Sequence, residues 1–180
     1  MQPLPTVIFT LAMLLSQSVW SGPLSIKVDR VKDGDTILVT FNGKQEQLQL
    51  LGIDAPEDVP NPKLQRDMER TQQSQDQLLA IGRLATKHLT QLAARGSSIT
   101  VEADMDRRDR YGRIPAMVSN SAGRSLNTAM VEDGYAVVMG RYQFDAKLKA
   151  AMQKQQGSAI NNRLGLWGSK PEITKAWGGK

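Results

Sequence analysis

Three short runs of the chain carry side chains that could do chemistry together: Asp33-Gly34-Asp35-Thr36, Gly52-Ile53-Asp54-Ala55-Pro56-Glu57 and Asp109-Arg110-Tyr111-Gly112-Arg113. Asp35 and Asp54 offer oxygen donors to a hard metal ion, and the Ala55 carbonyl can add another. Glu57 is a spare carboxylate able to take a proton from water, and Pro56 before it fixes the local backbone. The guanidinium of Arg113 can hold a phosphate through two parallel hydrogen bonds, which an ammonium cannot do. Metal ligands, a base for water and a fork for phosphate are together what hydrolysis of a phosphodiester needs.

Each of these residues also has a plainer reading. An Asp-Gly-Asp is a common turn, and Glu57, with Asp58 next to it, could be a solvated loop glutamate. Arg113 could simply pair with Asp109 in a β-turn. Thr36, Arg110, Tyr111 and Tyr142 are candidate substrate contacts; the two tyrosines could stack on a base or bond a phosphate oxygen, or could serve ordinary packing. His88, the only histidine, sits in a helical pattern without zinc-ligand spacing or a triad, so a catalytic or metal role is not expected of it.

Strands must position the acidic runs. Ile26 and Val28 alternate with polar neighbours, as do Ile37, Val39 and Phe41, and Asn42-Gly43 marks a two-residue hairpin before a third strand over Lys44 to Gly52. In that third strand Leu48 and Leu50 share one face, leaving Gln47, Gln49 and Leu51 on the other. Ile99 to Glu102 and Ile114 to Val118 read as two more strands, joined by a charged connection. Apolar spacing from Leu78 to Leu92 predicts an amphipathic helix stopping near Gly96, Leu126 to Val131 a second and Phe144 to about Gln156 a third. The polar stretch from Asp58 to Gln75 is either a mobile loop or an early helix starting at Pro62. Five strands with interposed and trailing helices give an α+β, mainly β fold that suits a small closed barrel of the OB type with three helices.

At 180 residues the chain can bury a core without disulfides, and it has no cysteine, which leaves the redox compartment open. A net charge of +5 and a pI near 9.6 fit an acidic partner, nucleic acid above all. Val7 to Leu15 is apolar apart from Thr10 and too short for a membrane span; with small residues from Ser16 to Gly22 it reads as an export signal over 1–21, cut after Ser21. Its n-region lacks Lys and Arg, which leaves an uncleaved anchor open. The expectation is a secreted or periplasmic monomer without stable membrane association after cleavage, with a domain over 22–168 and a short, Gly-rich tail over 169–180 that frays at its end. Trp167 is expected to cap the core, Trp177 to decorate the tail, and the methionines at 105, 117, 130, 139 and 152 to fill apolar space.

The three runs, in this order and spacing, resemble the thermonucleases, the staphylococcal nuclease-like enzymes. The likeness extends from about Ser25 to Trp167 through Gly82-x-x-Ala85, Leu126-Asn127, Gly134-Tyr135-Ala136 and Leu164-Gly165-Leu166-Trp167. It implies an OB-type barrel with three helices, a calcium ion and hydrolysis of DNA and RNA. It also gives Asp35, Asp54 and the Ala55 carbonyl to the metal, the general-base role to Glu57, and the phosphate to Arg113. The same ligands could accept Mg²⁺ or Mn²⁺. One position departs from the pattern: Gln49 stands where the family has an arginine that binds the scissile phosphate, with Lys44, Arg107, Arg108 and Arg110 as candidate replacements. Two readings follow, an exported calcium-dependent nuclease of low sequence specificity, slowed by Gln49, or a nucleic-acid-binding module on the same fold with weak or no catalysis.

Overall fold

The computed structural model describes residues 22–140 and 142–179; the export segment lies outside the described residues. Five strands, β1 (Leu24–Asp33), β2 (Thr36–Phe41), β3 (Lys44–Leu50), β5 (Ser98–Glu102) and β6 (Ile114–Asn120), close into a barrel in the order β1-β2-β3-β6-β5. Short strands β4 (Ile53–Asp54) and β7 (Val137–Val138) form a separate antiparallel pair. The helices are α1 (Pro62–Thr71), α2 (Gln75–Leu92), α3 (Leu126–Glu132), α4 (Ala146–Asn161), α5 (Leu166–Ser169) and α6 (Pro171–Gly178). The expected α+β barrel is present, with six helical segments among the described residues rather than three.

Alternation closes the barrel. Ile37, Val39, Leu48 and Leu50 are wholly buried, because the period of two sends them to the same interior. Asn42 and Gly43 both adopt positive φ (49° and 74°), the requirement of the tight hairpin that joins β2 to β3. The register then sets the site: Thr36 lies opposite Gln49, and the parallel β3–β6 pairing places Gln49 opposite Pro115, two residues past Arg113. Asn127 fastens the end of β3 to β6. It accepts from the Val118 N–H (2.9 Å) and donates to the carbonyls of Leu51 (3.1 Å) and Ala116 (3.0 Å). That triple bond set gives a physical role to the Leu126-Asn127 pair, since buried polar groups need partners.

One open choice is settled here, and one expectation, that Trp177 decorates the tail, is corrected. The polar stretch after Asp58 is a helix from Pro62, not a loop: Asn61 caps α1 by accepting from the N–H groups of Lys63 and Leu64 (both 2.9 Å), and Pro62 occupies a position that needs no N–H donor. Most of the tail is helical, in α6. Trp177 of α6 is 1% exposed, packed in a second apolar cluster with Leu64, Leu78, Ile81 and Trp167. Its indole N–H donates to Asp67 of α1 (3.2 Å), and Arg70 donates to the carbonyls of Ala176 (3.2 Å) and Trp177 (2.9 Å). The sequence does show a signal for this, Pro171 followed by Ile173, Trp177 and Gly178 at helical spacing. Met130 and Met152 are core residues as expected, but Met139 is 39% exposed. His88 has a structural role, stacked on Tyr135 (4.1 Å) and bonded to Asp133 (2.8 Å). Among the described residues no helix is long and apolar enough to cross a membrane.

Candidate active site

A cavity of about 990 Å³ opens on one side of the barrel, and its lining includes Asp35, Gln49, Asp54, Glu57, Arg110, Tyr111, Arg113 and Tyr142. The side chains predicted from three separate runs therefore face one space, brought there by three local devices. Asp35 sits where β1 turns into β2, with its N–H bonded to Asp33 (3.1 Å). Asp54 is held by the β4–β7 pairing opposite Val137. Arg113 emerges at the start of β6 from a turn organised by Asp109, which accepts from the N–H groups of Tyr111 (2.8 Å) and Arg113 (3.0 Å).

The acidic floor is tightly bonded. One Asp35 oxygen accepts from the Ala55 N–H (3.0 Å) and the other from the Thr36 hydroxyl (3.0 Å), which is also 3.2 Å from the Gln49 side-chain oxygen. Thr36 is fully buried and does not line the cavity, so the expected substrate contact is corrected: its hydroxyl orients Asp35 and Gln49. Burial, together with the charges of Asp33 and Asp54, pushes the Asp35 carboxyl up to about 8, against the pull of Lys63 and the Ala55 N–H. Burial raises Asp33 as well. Carboxylates clustered in this way stay ionised together only with positive charge beside them.

That charge comes from Lys63, in the first turn of α1. Its ammonium lies 3.2 Å from Asp54 Oδ1, 2.8 Å from Glu57 Oε1 and 3.0 Å from the Ala55 carbonyl oxygen, with Asp67 at 3.7 Å. Burial opposes the charged ammonium, but Asp54, Glu57 and Asp35 outweigh it and raise Lys63 above the ordinary lysine range. Asn61, the cap of α1, also donates to Glu57 Oε2, so one residue starts the helix and aims the candidate base. Sequence reasoning missed Lys63. The Asn-Pro-Lys helix start and the i, i+4 spacing of Lys63 and Asp67 were the available signals.

Whether these groups fit a divalent cation can be read from Lys63 itself. An ammonium already rests against the Asp54 carboxylate and the Ala55 carbonyl, which shows that this cage attracts positive charge and presents oxygens to it. Among the described residues no three His, Cys, Asp or Glu side chains are grouped as a ready metal cluster. Two carboxylates and one carbonyl make a sparse donor set of the kind that leaves several positions to water or substrate oxygens.

The phosphate side is basic. Arg113 Nε and Nη2 hold Asp109 Oδ2 (2.9 and 2.8 Å), and Nη1 lies 4.0 Å from Asp35. The turn pairing therefore does not take Arg113 out of the cavity: Asp109 fixes the guanidinium while its Nη1 side faces the acids. Burial works against the Asp109 charge, yet the Arg113 and Tyr111 N–H groups and the guanidinium hold that carboxyl below the usual range. Tyr111 is 57% exposed, with the guanidinium carbons of Arg110 and Arg113 4.8 and 5.2 Å from its ring centre. An exposed ring near two guanidinium groups has the chemistry to stack on a base beside a phosphate. Tyr142 lines the cavity with its ring tilted 6.5 Å from Phe144.

Gln49 lines the cavity at 9% exposure, on the side its alternation with Leu48 and Leu50 requires. Of the replacements considered for the missing guanidinium, only Arg110 lines this space. Arg108 is turned away, bonded to Glu46 (3.1 Å). Arg66 and Arg70, which sequence reasoning did not select, line it from α1.

Comparison with known proteins agrees with this geometry. The profile described as staphylococcal nuclease homologue matches residues 47–169. The chain is 33% identical over 164 residues to an uncharacterized endonuclease of Escherichia coli, covering 91% of this chain and 88% of that protein. It is 30% identical over 144 residues to the thermonuclease of Staphylococcus intermedius, covering 79% and 76%. It is also 30% identical over 153 residues to the SPbeta prophage-derived endonuclease YokF of Bacillus subtilis, covering 84% of this chain but 46% of that longer protein; for the endonuclease YncB of the same organism the second share is 65%. With the profile spanning more than half of the chain and the barrel, acids and arginine in place, this protein belongs to the staphylococcal nuclease family.

Proposed function

We propose that the protein is a metal-assisted nuclease that hydrolyses phosphodiester bonds of DNA, RNA or both with little base preference. The observation that carries this reading is the convergence of Asp35, Asp54, Glu57 and Arg113 on one cavity, since a protein that only binds a polyanion gains nothing from carboxylates beside a phosphate. Asp35, Asp54 and the Ala55 carbonyl would hold the cation, calcium by resemblance, and it would supply positive charge to a phosphate oxygen. Glu57 takes a proton from the water whose oxygen bonds to phosphorus; the bond from phosphorus to one ester oxygen breaks, and that oxygen leaves with the bond's electron pair and takes a proton from solvent. Arg113, held at one edge by Asp109, still has hydrogens on Nη1 and Nη2 to offer two phosphate oxygens. Tyr111 and Tyr142 flank the strand and read no sequence.

Gln49 favours a second reading, a nucleic-acid-binding module with weak catalysis. Removing one charged donor of this kind typically costs about 2.7 to 4 kcal/mol of transition-state stabilisation, a hundredfold to a thousandfold in rate. Enzymes commonly provide about 8 to 23 kcal/mol, so the loss slows the reaction and leaves it measurable. The proposal includes export, supported by the apolar run from Val7 to Leu15. The deciding experiment is digestion of single- and double-stranded DNA and of RNA, with calcium and with chelator, by the protein and by Glu57→Gln. Calcium-dependent cleavage lost in the variant is expected; equal binding by both with no cleavage in any metal supports the module.

A further inference from the structure

Lys63 touches the very oxygens that a cation needs. An ammonium has three hydrogens, and here three acceptors surround it, from Asp54, Glu57 and Ala55, at 3.2, 2.8 and 3.0 Å. Nothing about its position is accidental to the fold. Asn61 anchors the first turn of α1 at one end through the Lys63 and Leu64 N–H groups. At the other, Asp67 and Arg70 tie the helix to α6 through Trp177. The backbone of α1 is therefore fixed, and the ammonium stands on a flexible four-carbon stem that can move alone. Asp67 Oδ2, one helical turn on and 3.7 Å away, is a second acceptor ready for it.

We propose, building on the metal-assisted reading above, that Lys63 is a resident counter-ion of the cage and that a divalent cation enters only by displacing its ammonium toward Asp67 and the cavity. A dication and an ammonium cannot share Asp54 and the Ala55 carbonyl at bonding distance, because like charges a few ångströms apart with little water between them repel strongly. Without either cation the crowded carboxylates would be uncompensated, so the lysine keeps the metal-free site folded while lowering its affinity for metal. Once displaced, its ammonium remains in the cavity as one more positive group facing a polyanion, on the side of the barrel where Gln49 brings no charge.

Calcium affinity measured by calorimetry, without substrate, tests this directly. Three proteins are compared in 0.5 M KCl, where charges not in contact are largely screened: the parent, Lys63→Met and Arg66→Met, the last removing an equal charge from the cavity lining without emptying the cage. Lys63→Met is expected to bind calcium at least tenfold more tightly than the parent, and Arg66→Met within about threefold. Equal affinities in the parent and Lys63→Met overturn the displacement while leaving the metal reading intact; no calcium binding by any of the three overturns both. Should Lys63→Met fail to fold, the parent alone suffices. The side-chain Cε and Nζ resonances of Lys63 are expected to shift on calcium saturation, and resonances that stay fixed while calcium binds refute the displacement.

Discussion

Gly82 in α2 supports the backbone that carries the candidate base, and its substitution separates placement from stability. A Cβ built there would lie 2.0 Å from the Glu57 carbonyl oxygen and 2.3 Å from its carbon, where ordinary contact begins at 3.4 Å. The clash is with backbone, so no rotamer change relieves it. The segment from Ala55 to Asp58 must shift by more than an ångström away from α2, or the helix must give way. Gly82→Ala gains about 1 kcal/mol of helix propensity and loses about 1–3 kcal/mol to overpacking, for a net change of about 0–2 kcal/mol in stability. Catalysis should suffer far more, because a 1 Å misplacement of reacting groups costs about a hundredfold. The contrast is Gly157→Ala, also inside a helix, whose added Cβ meets nothing within 4 Å; it should raise stability by about 0.5–1 kcal/mol with kcat unchanged. Chemical denaturation and steady-state cleavage of an oligonucleotide, run on the same preparations, give both numbers. A folded Gly82→Ala protein with parental kcat would show that Glu57 does not need its present position, and the role given to it would fall.

Other predictions follow from neighbouring contacts. Gln49→Arg should raise kcat by up to about a hundredfold on DNA, since it restores a guanidinium where the transition-state charge develops; unchanged kcat would mean that Arg66, Arg70 or Arg110 already supplies that contact. In metal-free protein the raised Asp35 carboxyl, near 8 against about 3.9 in the unfolded chain, stabilises the fold fully below pH 4. That contribution is lost as pH rises from 4 through 8. Melting temperatures across this window should fall accordingly, and saturating calcium, which binds the ionised form, should reduce or reverse the decline. Trp177→Phe removes the N–H bond to Asp67 and leaves space where the larger indole is buried, which should cost at least about 1.5–3 kcal/mol in urea unfolding; a smaller loss would mean that Lys63 and Arg70 satisfy Asp67 without it.

Much of the barrel was legible because its signals are local. Alternation in β2 and β3, the Asn42-Gly43 turn and the apolar spacing of α2 each fix an element without reference to the rest. The acidic runs were legible for a related reason: each occupies a strand end or a turn, so finding the elements nearly locates the side chains. Lys63 escaped because its significance is wholly tertiary. A lysine in a polar helix start resembles any solvated lysine, and only the packing of α1 against the cage gives it three oxygens. The last helix escaped because Gly and Lys near the end of the chain masked an apolar stripe that has meaning only beside Leu64, Leu78 and Ile81. Arg113 is the intermediate case. Its turn partner Asp109 was visible in the motif, but the approach to Asp35 required the parallel pairing of β3 with β6, a contact between distant segments that no local pattern encodes.

The bond from Trp177 to Asp67 spans 110 positions of the chain, and that separation orders events in time. A growing polypeptide emerges from the ribosome amino end first, so the barrel strands and α1 are exposed long before α6 arrives to brace them. A nascent chain can thus hold the acids in a barrel whose lysine-bearing helix is still loose. On this view the cage stays unbraced until α6 emerges, 110 positions after Asp67.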